Sequence, residues 1–170
     1  MERFEFHGED IRLRLEDTSA TEVFGHNLAD TVSSGTLIFL RGPLGAGKTT
    51  LARGLIQGLG FDGSVKSPTF TIVEPYVTQK GSVFHFDLYR IHDEEELEAM
   101  GIRDYLDTAH ITLIEWPEKG AALLPSPDLE IELCPDGHER IASIRCAHDK
   151  DNSMMSTLAA LIERKSQLSQ

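Results

Sequence analysis

Apolar and polar positions alternate with period two over Ile11-Arg12-Leu13-Arg14-Leu15, the signature of a strand with one buried face. Ser19-Ala20-Thr21-Glu22 then fits a capping box, and a helix is expected to run from it to about Val32. Residues 35–40 form a short apolar run, consistent with a central strand buried on both faces. Leu51, Leu55, Ile56 and Leu59 recur at helical spacing, and Gly60 stands where that helix should end. Two β-rich runs follow, 70–77 and 83–88, around turn-forming residues 78–82. Residues 93–100 predict a short helix stopped by Gly101, with first-turn carboxylates suited to the positive end of the helix dipole. Residues 111–114 predict a second buried strand, ended by Glu115-Trp116-Pro117. Alternating runs 129–134 and 140–147 flank Pro135-Asp136-Gly137 as a hairpin. Residues 153 to about 164 are expected to be helical, with Met154, Leu158, Leu161 and Ile162 on one side. Strands interleaved with helices imply an α/β layered domain, and the two hairpins make its sheet mixed rather than purely parallel.

Composition narrows the function classes. A chain of 170 residues fits one domain over 1–170 with a sufficient core of its own. No apolar stretch approaches the roughly 20 residues of a membrane helix, and the acidic, alternating start MERFEFHGED does not resemble a secretory signal. No membrane partner and a cytoplasmic location are therefore expected. Cys134 and Cys146 are too few for a disulfide scaffold and suit small apolar positions in a reduced protein. The formal charge of −12 argues against unaided gripping of a polyanion, because neutralising phosphates needs a surplus of Lys and Arg on one face. DNA is not expected as a partner, and RNA would arrive only through another protein.

One motif dominates the chemistry. Gly42-Pro43-Leu44-Gly45-Ala46-Gly47-Lys48-Thr49 matches G-x-x-x-x-G-K-[ST], a pattern that shuffling this composition would produce roughly once in 200 sequences. It follows one predicted strand and opens one predicted helix, as a phosphate-binding loop must. Successive backbone N–H groups have to face one concavity, where side chains at Gly45 and Gly47 would obstruct the path. The helix N-terminus adds positive partial charge. Lys48 is expected to serve the β- and γ-phosphates rather than the core, and the Thr49 hydroxyl to offer Mg²⁺ a hard oxygen. Such a site needs an acid at the C-terminal end of a neighbouring strand, where Glu115 is the best placed and Asp87 a rival or a colleague. There is no Asn-Lys-x-Asp, Gly-x-Ser-x-Gly, His-Glu-x-x-His or Cys-x-x-Cys stretch. The seven histidines are scattered; His85 lies near Asp87, and packing is the simpler role for each.

Five segments occur in order: 42–50 (GPLGAGKTT), 66–76 (KSPTFTIVEPY), 85–90 (HFDLYR), 100–105 (MGIRDY) and 114–117 (IEWP). Together they closely resemble the bacterial TsaE family, the ATPase of tRNA threonylcarbamoyladenosine biosynthesis. The likeness is strongest over about residues 35–118. It implies a P-loop NTPase-like three-layer α/β sandwich that binds ATP with Mg²⁺. It also implies slow hydrolysis alone and faster hydrolysis with the partners TsaB and TsaD, with tRNA met only through that complex. Carried over, Lys48 is the phosphate lysine, Thr49 and Glu115 are the Mg²⁺ ligands, and Asp87 matches an aspartate needed for activity. The nucleotide-binding set is then Gly42, Pro43, Leu44, Gly45, Ala46, Gly47, Lys48, Thr49 and Thr50. Thr18 with its neighbours 19–21, and Arg140, fall where the family also approaches the nucleotide. Thr69 stands in a switch-like loop, as a sensor of the γ-phosphate or as a turn cap, and Trp116 matches the family's tryptophan beside the acid, with packing as its default role. Pro43 departs from the Asp often found there, in a variable part of the loop. Two other readings share the cradle. A small-metabolite kinase would want an Arg-rich lid, for which the chain has no segment; a module that binds ATP without turnover is not separable by sequence.

Overall fold

The computed structural model describes residues 4–7, 10–106, 109–146, 154, 156–160 and 162. In chain order the elements are β1 (Phe4–His7), β2 (Asp10–Leu15), α1 (Thr18–Leu28), β3 (Leu37–Arg41), α2 (Lys48–Gly58), β4 (Val73–Thr78) and β5 (Gly81–Asp87). There follow α3 (Glu94–Ala99), α4 (Ile102–Tyr105), β6 (Ile111–Glu115), a 3-10 turn over Pro117–Gly120, β7 (Leu129–Asp136) and β8 (Glu139–Cys146). The strands form one mixed sheet of eight in the order β1-β2-β8-β7-β3-β6-β5-β4. Its middle, β7-β3-β6-β5, is parallel, with Leu40 paired to Glu115 and Glu115 to Asp87. Antiparallel hairpins flank both sides. The register brings the carboxyl ends of β3, β6 and β5 side by side, so the loop after β3 and the residues ending the other two share one rim.

The apolar runs of β3 and β6 are continuous because both faces are covered. Ile38, Leu40, Ile111, Leu113, Val83, Leu129 and Ile131 point to a core shared with α1 and α2. Leu37, Phe39, Ile114, Phe86 and Leu88 point to the opposite core, with Leu97 of α3 and Ile102 of α4. This is the expected three-layer sandwich. Among the described residues no helix is long and apolar enough to cross a membrane. Cys134 is exposed rather than packed inside.

Several boundaries differ from the sequence reading, each for a local reason. α1 is capped by Asp17, whose carboxylate accepts from Ala20 N at 2.7 Å, and not by a box starting at Ser19. The helix ends at Leu28 and tightens into i to i+3 turns as far as Thr31, so the apolar pattern continues to buried Val32. Residues 70–72 are not strand: Ile72 takes a left-handed conformation and its N–H bonds to Pro68 O at 2.7 Å, leaving Phe70 81% exposed. β7 runs through Pro135, and the turn is Gly137-His138. The strand β1, which the acidic start did not signal, pairs with β2. At the C-terminus Met154, residues 156–160 and Ile162 are helical, and Leu158 and Ile162 join the first core. Leu161, the two ends of that expected helix and Ala147 lie outside the described residues.

α1 and α2 touch backbone to backbone. A Cβ on Gly54 would sit 2.0 Å from Glu22 O, and one on Gly25 2.2 Å from Leu51 O. Gly54→Ala would gain about 1 kcal/mol in helix propensity, yet it must force the helices apart. A net loss of about 1–3 kcal/mol is expected in urea unfolding; wild-type stability would show that the crossing tolerates separation.

Candidate functional site

The chain leaves β3 through a loop whose shape depends on missing side chains. Gly42 has φ +132°, and a Cβ there would meet Leu133 O at 2.3 Å. Gly47 (φ +104°) is the N-cap of α2 and offers no side-chain cap, so the first amides of that helix are not engaged by one. Pro43, Leu44 and Gly45 are exposed, with Leu44 73% so, while Ala46 packs inside. Thr50 follows in the first turn of α2, half-buried.

Lys48 is only 4% exposed, contrary to a purely ligand-facing lysine. Its Nζ donates to Gly42 O at 2.7 Å and Pro43 O at 2.9 Å, and stands 3.9 Å from the centre of the Trp116 ring. Burial pushes the ammonium below the ordinary lysine range, and the negative charges of Glu115, Asp87 and Glu118 oppose that only in part. Trp116 is held in a left-handed conformation (φ +58°), packs at a tilt against Tyr89 with centroids 5.0 Å apart, and anchors its N–H on Leu40 O at 3.3 Å. A bulky residue at positive φ costs of order 1–3 kcal/mol, and here it places an aromatic face over the loop lysine. Trp116 therefore does more than fill space.

Two carboxylates end the next strands. Glu115, 2% exposed, accepts the Thr49 hydroxyl at 2.9 and 3.1 Å and contacts His85 Nε2 at 2.8 Å. Asp87, 4% exposed, accepts the Thr69 hydroxyl at 2.8 Å on one oxygen and Tyr89 N–H at 3.0 Å on the other. Ser67 Oγ lies 2.6 Å from Thr69 Oγ1, so the 67–70 loop is tied to Asp87 through hydroxyls. Among the described residues no group of three or more His, Cys, Asp or Glu side chains gathers as a metal cage. Thr49 and Glu115 are hard oxygen donors, few in number, and they fit Mg²⁺, which keeps water and phosphate oxygens as its other ligands.

From the antiparallel side, Arg140 at the start of β8 donates Nη1 to Thr21 Oγ1 at 2.7 Å. Its Nε and the Thr21 methyl lie 3.5 and 3.6 Å from where a Cβ on Gly47 would stand. The structure thus brings Lys48, Thr49, Glu115, Asp87, Thr69 and Arg140 to one rim. In the α1 region Thr21 makes the contact with the loop, while Thr18 is exposed at the helix start. Sequence alone assigns His85 no more than a packing role beside Asp87. Its signal is positional: two residues before Asp87, on the same strand face, in a row otherwise apolar.

A glycine-rich loop leading from a central parallel strand into a helix, with acids ending the next two strands, defines a P-loop NTPase-like α/β protein. The crystal structure of Bacillus subtilis YdiB shares this fold at a TM-score of 0.72, with 24% identity, covering 94% of this chain and 97% of that one. The family model described as threonylcarbamoyl adenosine biosynthesis protein TsaE matches residues 15–142, and the chain belongs to the TsaE family. A Haemophilus influenzae protein named tRNA threonylcarbamoyladenosine biosynthesis protein TsaE is 56% identical over 130 residues, 74% of this chain and 82% of the relative. A Bacillus subtilis protein of the same name is 34% identical over 121 residues, 71% and 75% of the two chains.

Proposed function

We propose that this protein is a Mg²⁺-dependent ATPase that supports repeated turnover of the tRNA N6-threonylcarbamoyladenosine machinery. It hydrolyses ATP slowly alone and faster with TsaB and TsaD, without itself transferring the threonylcarbamoyl group. The observation that carries this reading is the meeting of Lys48, the Thr49–Glu115 pair and the Thr69–Asp87 pair on one rim beside the glycine loop. The loop amides and the start of α2 bind the β-phosphate, and Lys48 exchanges two carbonyl partners for phosphate oxygens. Thr49 and Glu115 would hold Mg²⁺, which when bound neutralises charge on the phosphates. Asp87 either orients the attacking water or accepts its proton, and Thr69 couples that aspartate to the 67–70 loop. Arg140 and Thr21 close the cradle from the side of α1.

tRNA enters this proposal only through the partner proteins, since a chain of charge −12 offers little to a polyanion. The deciding experiment measures phosphate release from ATP with the protein alone and with TsaB–TsaD added, in a cytoplasm-like buffer with Mg²⁺. Release stimulated by the partners is expected. Binding of ATP with no release under either condition would leave a binding module, and phosphoryl transfer to a small acceptor would make the protein a kinase.

A further inference from the structure

The sheet face packed on α1 and α2 is apolar at positions 38, 40, 83, 111 and 113, and His85 stands in the same layer, 0% exposed. Its Nδ1 is buried with no hydrogen-bond partner. An imidazole there, with one nitrogen unpaired, is worse for stability than an aliphatic side chain of similar size. The polar contact it makes in return is Nε2 to Glu115 Oε1 at 2.8 Å. A carboxylate only accepts, so this bond requires the proton on Nε2. Glu115 also has a competing attraction, because its charge acts on the nearby Lys48 ammonium.

We propose that His85 is a positioning residue for Mg²⁺: it holds Glu115 toward Thr49 and away from Lys48, keeping the acid ready for the metal and the lysine available to phosphate. The role rests on the nucleotide reading above. With Oε1 engaged by His85 and by the shorter Thr49 bond, Oε2 is the oxygen less committed within the protein. Partners of this kind behind a metal ligand change metal affinity by about 10–100-fold.

The test compares His85→Leu, His85→Gln and His85→Asn with wild type. Each is assayed by calorimetric ADP binding with and without Mg²⁺, and by Mn²⁺ titration of the ADP-bound protein followed by electron paramagnetic resonance. His85→Leu should melt no lower than wild type and bind ADP equally well without metal, yet bind Mn²⁺ about tenfold or more weakly. His85→Gln, whose amide reaches the Nε2 position, should restore most of that affinity, and His85→Asn, whose amide does not, should behave like Leu. If the Leu variant fails to fold, the Gln–Asn contrast decides. Wild-type Mn²⁺ affinity in His85→Leu, or equal affinities for Gln and Asn, would overturn the role while leaving the ATPase reading intact. A wild-type protein that binds no ADP under any condition would overturn that reading, and the His85 role with it.

Discussion

Lys48→Ala is expected to lower ATP turnover by about 100- to 1,000-fold, the usual effect of deleting one preorganised donor to developing charge. The fold should survive. A lysine serving only a ligand would change stability by no more than about 0.5 kcal/mol. The observed burial alters that expectation, because two bonds to loop carbonyls are lost and the carboxylates of Glu115 and Asp87 lose a nearby cation. Release of the desolvated ammonium offsets part of this, so a loss of about 1 kcal/mol is expected. Trp116 provides the internal readout. It is the chain's only tryptophan and its ring faces Nζ, so its fluorescence should respond to nucleotide in wild type and to a smaller degree in the variant. Turnover at the wild-type rate in Lys48→Ala would remove the phosphate role assigned to that residue.

Glu115→Gln and Asp87→Asn should fail in different ways, although both acids are buried on the same rim. Glu115 shares a hydrogen bond with Thr49, so removing its charge should weaken Mg²⁺-dependent nucleotide binding by about tenfold or more. Asp87 is bonded instead to the 67–70 loop and to Tyr89 N–H. Its amide variant should bind a non-hydrolysable ATP analogue almost normally and hydrolyse ATP about 100-fold or more slowly. Calorimetry with the analogue, beside steady-state rates, separates the two. Matching profiles would collapse the division of labour between metal holding and water activation.

How much was legible follows from what each feature depends on. The loop from Gly42 to Thr49 was plain because phosphate binding dictates residue types at fixed spacing along one segment. Glu115 and Asp87 were legible as strand ends, since an apolar run stopped by an acid is a local pattern. His85 was not, because its burial and its bond to Glu115 depend on the β5–β6 register, which no local pattern states. Arg140 and Thr21 lie 119 residues apart and meet because β8 pairs with β2, setting Arg140 opposite Leu15 just before α1. The cap of α1 was misplaced by two residues because Ser19 and Asp17 both satisfy cap chemistry, and the geometry favours the carboxylate. The strand expected at 70–72 gave way to a loop because Pro68 accepts the Ile72 N–H and Thr69 is committed to Asp87.

Among the described residues β4 forms one margin of the sheet, paired with β5 alone. Thr78 pairs with Gly81 across the two-residue turn, so by alternation Val73, Pro75 and Val77 turn their backbone polar groups away from β5. The outward row therefore has a missing donor at its middle, and Val77, 82% exposed, stands beside that gap. A second chain laid along this margin would find an interrupted ladder, flanked by Glu74 and Lys80. The proline thus acts against fibril-like stacking of copies, interrupting the open edge of β4 without covering it.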